Sequence, residues 1–380
     1  MPKWRLNTKL AEATMKRRDT LLLPLALASG ACTAAPSALG TGPACKHPGL
    51  GRGYHLGEVF GRTAQDFAAM AATGATLVRF GMALNPDSTG LRYDMPLRAM
   101  PELMRQLELS RTHGLRLVVS LRPSPEPEAP LWTSAALQTS LEAHWRHLAR
   151  LLAGRAEVAA FDLVNEAHPP GLTFALKQAR WDALATRLLR AVREQDPQRV
   201  IVLEPSPGAR PMAFATATRL PFDKLVYSVH MYEPFEFTHQ RVGDPRFTAV
   251  VDYPGDVPGD VPGDGSRHAP AHGLWNRERL QSVLMPVKQF ADRHGVEIYV
   301  GEFGAPRWAP GKARERYLSD LVQIFAGWNW SWTYHAWREW HGWDAEMANG
   351  QAVTDRRSTE PTAALLRAAL RDCGPAAGGR

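Results

Sequence analysis

The chain reads Val158-Ala-Ala-Phe-Asp-Leu-Val-Asn-Glu166, then a helical stretch over residues 174–195, then Arg199-Val-Ile-Val-Leu-Glu204. In the middle stretch Leu184, Leu188, Leu189 and Val192 recur at helical spacing, and Asp196-Pro197 ends it. The run Val200-Ile-Val-Leu203 is wholly apolar, as is Leu117-Val-Val119 earlier in the chain, which suits parallel strands covered on both faces. The unit is therefore strand, helix, strand, and it repeats in both directions. Strands are predicted at 53–57, 76–82, 115–122, 158–166, 199–204, 225–232, 297–302 and 331–337. Helices are predicted at 63–72, 96–113, 134–153, 174–195, 212–219, 276–294, 313–327 and 361–371. Eight of each, with no Gly-x-Gly-x-x-Gly turn after the first strand, predict an α/β fold of the TIM-barrel type, one closed (β/α)8 barrel, in place of an open doubly wound sheet.

The full 380 residues exceed the usual length of one domain, about 100 to 200 residues, and a large closed barrel accounts for the excess. No boundary divides the region 51–375. Ahead of it, residues 33–50 are rich in small residues and read as a linker, and residues 1–32 read as an export signal. Lys16-Arg17-Arg18 precedes the apolar run Leu21 to Ala28, which is too short to span a membrane, and Met15 is a plausible start. The sequence from Leu27 to Cys32 is loosely a lipoprotein cleavage box, with Ser29 where an aliphatic residue belongs, so lipid anchoring through Cys32 is one expected fate and simple secretion the other. Either way Cys45 and Cys373 remain, to pair across the chain ends or stay free. The leader also explains the charge: it holds six basic residues against Glu12 and Asp19, and without it the formal +7 falls to about +3. Basicity thus gives no reason to expect a nucleic-acid partner. After the sixth strand a long loop repeats Pro-Gly-Asp three times from Pro254 to Asp264. It reads as a surface insertion without regular structure, and its spacing matches no calcium-binding loop.

In such a barrel, reactive residues lie at the C-terminal ends of the strands. Those ends are polar here: Arg79 on the second strand, Asn165-Glu166 on the fourth, His230 and Tyr232 on the sixth, Glu302 on the seventh and Trp337 on the eighth. Two glutamates that each follow an apolar run would be expensive to bury side by side without a task. Paired carboxylates are the equipment for breaking a glycosidic bond, one protonating the leaving oxygen and the other attacking the anomeric carbon or activating water.

Taken together, Asn165-Glu166, His230-x-Tyr232, Gly301-Glu302-Phe303-Gly304, Trp337 and Arg79 resemble glycoside hydrolase family 5, the cellulase-type retaining barrels. The stretches Gly53 to Glu58 and Tyr232 to Gln240 add to the resemblance, which spans about residues 51–371. It implies Glu166 as acid/base and Glu302 as nucleophile, with the two carboxyl groups about 5 to 5.5 Å apart. It further implies that Asn165 contacts the sugar's 2-hydroxyl, that Arg79 and Tyr232 keep Glu302 ionised, and that His230 holds the hydrogen-bond network. Trp337 would offer a flat face to a pyranose ring, or pack in the core as most large aromatics do. The third strand departs from the family, ending in Arg122 where a histidine is common. Trp275, Trp308, Trp340 and Trp343 sit in or near post-strand loops, where they would stack on further sugars, and Arg307, Arg338 and Glu339 would touch hydroxyls or pair with other charges.

The expected protein is an exported, monomeric β-glycoside hydrolase acting on a β-linked polysaccharide or oligosaccharide, a β-glucan in the first place and a mannan as the alternative. No cofactor or metal is expected, since two carboxylates suffice. A non-catalytic carbohydrate-binding barrel would have no use for both glutamates. A zinc hydrolase or serine hydrolase would carry a His-Glu-x-x-His or Gly-x-Ser-x-Gly motif, and neither is present.

Overall fold

The computed structural model describes residues 49–58, 60–124, 129–243, 247–258 and 272–372. The export segment, nearly all of the linker, and Cys32, Cys45 and Cys373 lie outside these. Eight parallel strands form the barrel: β1 (Arg52–Leu56), β2 (Leu77–Pro86), β3 (Arg116–Pro123), β4 (Val158–Asp162), β5 (Val200–Leu203), β6 (Leu225–Met231), β7 (Glu297–Phe303) and β8 (Ser331–His335). Each pairs with its successor, and β8 pairs back onto β1, so the sheet closes.

Among the described residues, seven longer helices surround it: α1 (Ala64–Ala72), α2 (Ala99–His113), α3 (Ala135–Leu152), α4 (Phe174–Arg193), α5 (Arg277–His294), α6 (Ala313–Gly327) and α7 (Pro361–Arg371). The side chains of Thr63, Ser134, Thr173 and Asn276 each accept a bond from the backbone N–H three residues on, which satisfies a donor that the first turn leaves unpaired. Helix α4 turns Trp181, Leu184, Leu188, Leu189 and Val192 inward, as the spacing predicts.

Inside the barrel, Leu50, Leu77, Val118, Ala160, Val202, Val226 and Tyr299 form a separate apolar cluster that makes its floor. Side chains alternate along a strand, so two residues further on each strand the same inward face is met again. There stand Arg79, Ser120, Asp162, Glu204 and Ser228, all fully or almost fully buried. The polar centre is thus a second layer laid directly on the apolar one. On β7 the register against β6 slips between Val300 and Glu302. The slip lets Glu302 reach the inner side while Phe303 packs in the outer core. Gly301 sits at the slip, where an added Cβ would lie 2.7 Å from Ser228 Oγ and 2.9 Å from His230 Nε2.

Several expectations need correction. The fifth helix is only a 3₁₀ turn, Pro211–Ala215, because the following Thr216, Thr218 and Pro221 do not sustain a helix. The Pro-Gly-Asp loop is partly regular: Gly255–Val257 pairs antiparallel with Gly273–Trp275. Strand β4 ends at Asp162, four residues early, because Glu166 has φ 51°, outside the β region, and bonds away from the ladder. Strand β8 ends at His335, before Trp337.

Candidate active site

Arg79 is fully buried and organises the barrel mouth. Its Nη1 donates to Glu302 Oε1 at 2.7 Å, its Nη2 to Asp162 Oδ2 at 2.6 Å, to Glu204 Oε1 at 2.9 Å and to Asn165 Oδ1 at 2.9 Å. A planar fork of five donors fits this arrangement as an ammonium does not. Nη1 also lies 3.2 Å from His55 Nδ1, and since a guanidinium only donates, Nδ1 accepts and the His55 proton sits on Nε2. That Nε2 lies 3.4 Å from Glu302 Oε1. Burial keeps the His55 imidazole well below its usual pKa, so the ring is neutral.

Glu302 is held at both oxygens, since the Tyr232 hydroxyl donates to Oε2 at 3.0 Å. Burial alone would raise its pKa, but the positive charges of His230 and Arg79 outweigh burial and hold it well below the usual value. Tyr232 moves the other way, kept protonated by burial and by the Glu302 charge, so its O–H remains a donor.

Glu166 comes from the turn after β4 and is the more open of the two glutamates, with 41 % of its side chain exposed against 10 % for Glu302. Its Oε1 lies 2.8 Å from His230 Nδ1. The other ring nitrogen of His230 is 3.0 Å from Glu204 Oε1, and Glu302 Oε1 is 3.9 Å from Nδ1. Burial would lower the His230 pKa, but Glu204, Glu302 and Glu166 together raise it well above normal. Asp162 rises to about 7 through burial and the neighbouring Glu204 charge, against the pull of Arg79. Glu204 falls below its usual value, because His230 and Arg79 overcome its burial. One oxygen of Glu166 and one of Glu302 lie within 4.8 Å of each other, with a His230 nitrogen in the same group. His55, Glu302 and His335 make a second such trio. Glu302 is common to both and already bound to Arg79, so these are hydrogen-bonded clusters of the polar centre.

A family model for cellulase, glycosyl hydrolase family 5, matches residues 46–340. The chain belongs to that family. It is 26 % identical over 238 residues to endoglucanase C of Acetivibrio thermocellus, covering 58 % of this chain and 67 % of that one. To cellodextrinase A of Ruminococcus flavefaciens it is 21 % identical over 229 residues, 58 % of this chain and 62 % of that one. In fold it is similar to Thermotoga maritima Cel5A, solved with cellobiose and also with mannotriose, each at TM-score 0.65, 19 % identity, 84 % of this chain and 97 % of that one.

Six of the seven residues read from the sequence as the family 5 site meet in this cluster: Arg79, Asn165, Glu166, His230, Tyr232 and Glu302. Trp337 does not. It is 3 % exposed, packed 4.6 Å from Tyr54 and covered by the Arg338 guanidinium at 4.7 Å, so its face is closed to a sugar. The strand-8 residue at the site is His335, whose Nδ1 is 2.7 Å from the Tyr232 hydroxyl and 3.5 Å from Glu302 Oε2. Replacing Trp337 by Phe is therefore expected to lower stability by about 1–3 kcal/mol in denaturant titration while leaving KM within about twofold.

The other aromatic expectations divide. Trp343 stands 5.2 Å from His335 and 5.5 Å from Tyr232, Trp340 meets Trp343 edge to face at 4.8 Å, and Trp308 meets Trp340 edge to face at 5.7 Å, a partly exposed row of rings that leads away from Tyr232 and His335. Trp275 is buried, with Arg279 over its ring, and belongs to the core. Arg307 is bound to the Ala348 and Gln351 carbonyls, Arg338 to Glu346 and Asp66, and Glu339 accepts the Gly57 N–H. Arg122 donates to the Gly57 carbonyl at 3.0 Å, tying the end of β3 to the loop after β1. Asp162, Glu204 and His55 went unnoticed in the sequence. Counting in twos from Ala160, Val202 and Gly53 would have put them on the inward face.

Proposed function

We propose that this glycoside hydrolase cleaves a β-linked glycan by double displacement, with Glu302 as nucleophile and Glu166 as acid/base. The observation that carries the reading is the approach of the two carboxylates to within 4.8 Å, close to the about 5–5.5 Å of retaining enzymes and short of the about 6.5–9.5 Å that leaves room for an inverting water. Their environments differ as the roles require. Glu302 is buried, ionised and braced by Arg79 and Tyr232, while Glu166 is open to solvent and so able to exchange its proton.

In the first step a Glu302 oxygen attacks the anomeric carbon as Glu166 gives its proton to the departing glycosidic oxygen. In the second, Glu166 takes a proton from water, which attacks the same carbon and frees Glu302. The aromatic row of Trp343, Trp340 and Trp308 supports a chain substrate lying across the mouth. The names of the curated relatives, endoglucanase and cellodextrinase, favour a β-glucan. The mannotriose complex of a fold neighbour keeps mannan as the second reading. Export is part of the proposal, supported by the leader pattern of residues 16–32.

A panel of β-glucans and β-mannans, read by product length, tests the substrate. Glu166→Ala tests the mechanism. Hydrolysis of the polymer should fall about a thousand-fold, while an aryl glycoside with a 2,4-dinitrophenyl leaving group, which departs without a proton, keeps most of its first-step rate. Added azide should then yield the β-glycosyl azide. An α-azide, or equal loss on both substrates, overturns the assignment.

A further inference from the structure

Glu204 is fully buried at the end of β5, an acid that the two-step reaction does not use. Its Oε2 accepts the backbone N–H of Glu166 at 2.5 Å. Its Oε1 lies 2.9 Å from Arg79 Nη2 and 3.0 Å from His230 Nε2. The Glu166 backbone it grips is in the left-handed region, φ 51°, a conformation that a non-glycine residue keeps only when its surroundings enforce it. The His230 ring, held to Glu204 by opposite charge at 3.0 Å and not by an aligned hydrogen bond, turns its other nitrogen onto Glu166 Oε1 at 2.8 Å. One carboxylate therefore fixes Glu166 twice, through its main chain and through the imidazole that faces its side chain.

We propose that Glu204 is the positioning residue of the acid/base step: by holding both the Glu166 amide and the Nε2 side of His230, it aims the Glu166 carboxyl at the departing glycosidic oxygen. The inference rests on the reading of Glu166 as acid/base. His230 faces Asp162 and Glu166 from β4 and its turn, Glu204 from β5 and Glu302 from β7, with Arg79 of β2 sharing Glu204. Glu204 is its closest anionic partner on the Nε2 side, so removing that charge lets the ring lose its proton at lower pH.

The test uses two aryl β-glycosides of whichever disaccharide the wild-type enzyme releases from polymer, one with a 2,4-dinitrophenyl and one with a 4-methylphenyl leaving group. Turnover by wild type and its loss in Glu302→Gln test the catalytic reading by themselves. In Glu204→Gln, kcat/KM for the 4-methylphenyl glycoside should fall about 100-fold, the low end of what a positioned proton donor contributes. The 2,4-dinitrophenyl glycoside should fall less than about 5-fold, and the alkaline limb of the pH profile should move to lower pH. Glu204→Asp, which keeps the charge, should restore the limb. Equal losses on both glycosides, or an unmoved limb, would assign Glu204 to structure alone and overturn the proposal.

Discussion

Glu302→Gln is expected to be folded and inactive. The amide keeps the shape of the carboxyl, so its oxygen can still accept from Arg79 Nη1, now at 2.7 Å from Oε1. Arg79 retains Asp162 and Glu204 as anionic partners, and the melting temperature should stay within a few degrees of wild type. An amide cannot form the glycosyl ester, however, and a good leaving group does not help, because the missing atom is the attacking one. Activity should fall at least about ten-thousand-fold on both polymer and dinitrophenyl glycoside, the scale seen when a covalent nucleophile is removed. This sets it apart from Glu166→Ala, which spares the activated substrate. Residual activity above one part in about a thousand, measured on protein freed of wild-type contamination, would refute the nucleophile assignment.

Arg79→Met should damage folding as well as catalysis. It removes the cation that Asp162, Glu204 and Glu302 share, all at least nine-tenths buried, and leaves them facing one another. Breaking a buried ionic cluster from one side costs about 3–5 kcal/mol. The sign of its pH dependence follows from the protons. In wild type, Glu204 and Glu302 titrate below their unfolded values, so their contribution is present above about pH 4.5 and is lost as pH falls through the folded pKa. Without Arg79 all three carboxyls titrate higher than before, and the folded variant takes up protons that wild type does not. The stability deficit should therefore widen from pH 5 to pH 8 in urea titrations. Arg79→Lys should recover only part of it, because one ammonium cannot bridge acceptors spread over β4, β5 and β7. A deficit that narrows as pH rises would contradict this account of the barrel centre.

Much of this was legible in the sequence, and the reasons are local. The strands were found because runs such as Val200 to Leu203 are apolar on both faces, and the helices because their inward residues recur at 3.6. Glu166 and Glu302 were found because a carboxylate after such a run stands out. Glu204 stands in the same kind of place, the last residue of the strand predicted over 199–204, but no motif of the family resemblance covers it, and a lone carboxylate at a strand end does not by itself reveal the Glu166 amide and Arg79 that it meets in the fold. Trp337 stayed open between a sugar platform, which the family resemblance implies, and a core residue, because its place depends on where β8 stops. The strand ends at His335, so the alternation that would have aimed Trp337 inward no longer applies. The hairpin at Gly255–Val257 was missed because its pairing partner, Gly273–Trp275, lies across a long insertion. Local composition speaks for the loop and is silent about so distant a neighbour.

The polar layer resting on the apolar floor has one more consequence. Its acids, Asp162, Glu204, Glu302 and Glu166, interlock with Arg79 and His230, and every member is already fixed by a neighbour. As the glycosidic bond breaks, the sugar ring takes on oxocarbenium character and hence positive charge. It meets the Glu302 carboxylate, whose hydrogen bonds from Arg79 and Tyr232 the fold made in advance, so few dipoles need to turn at the moment of reaction.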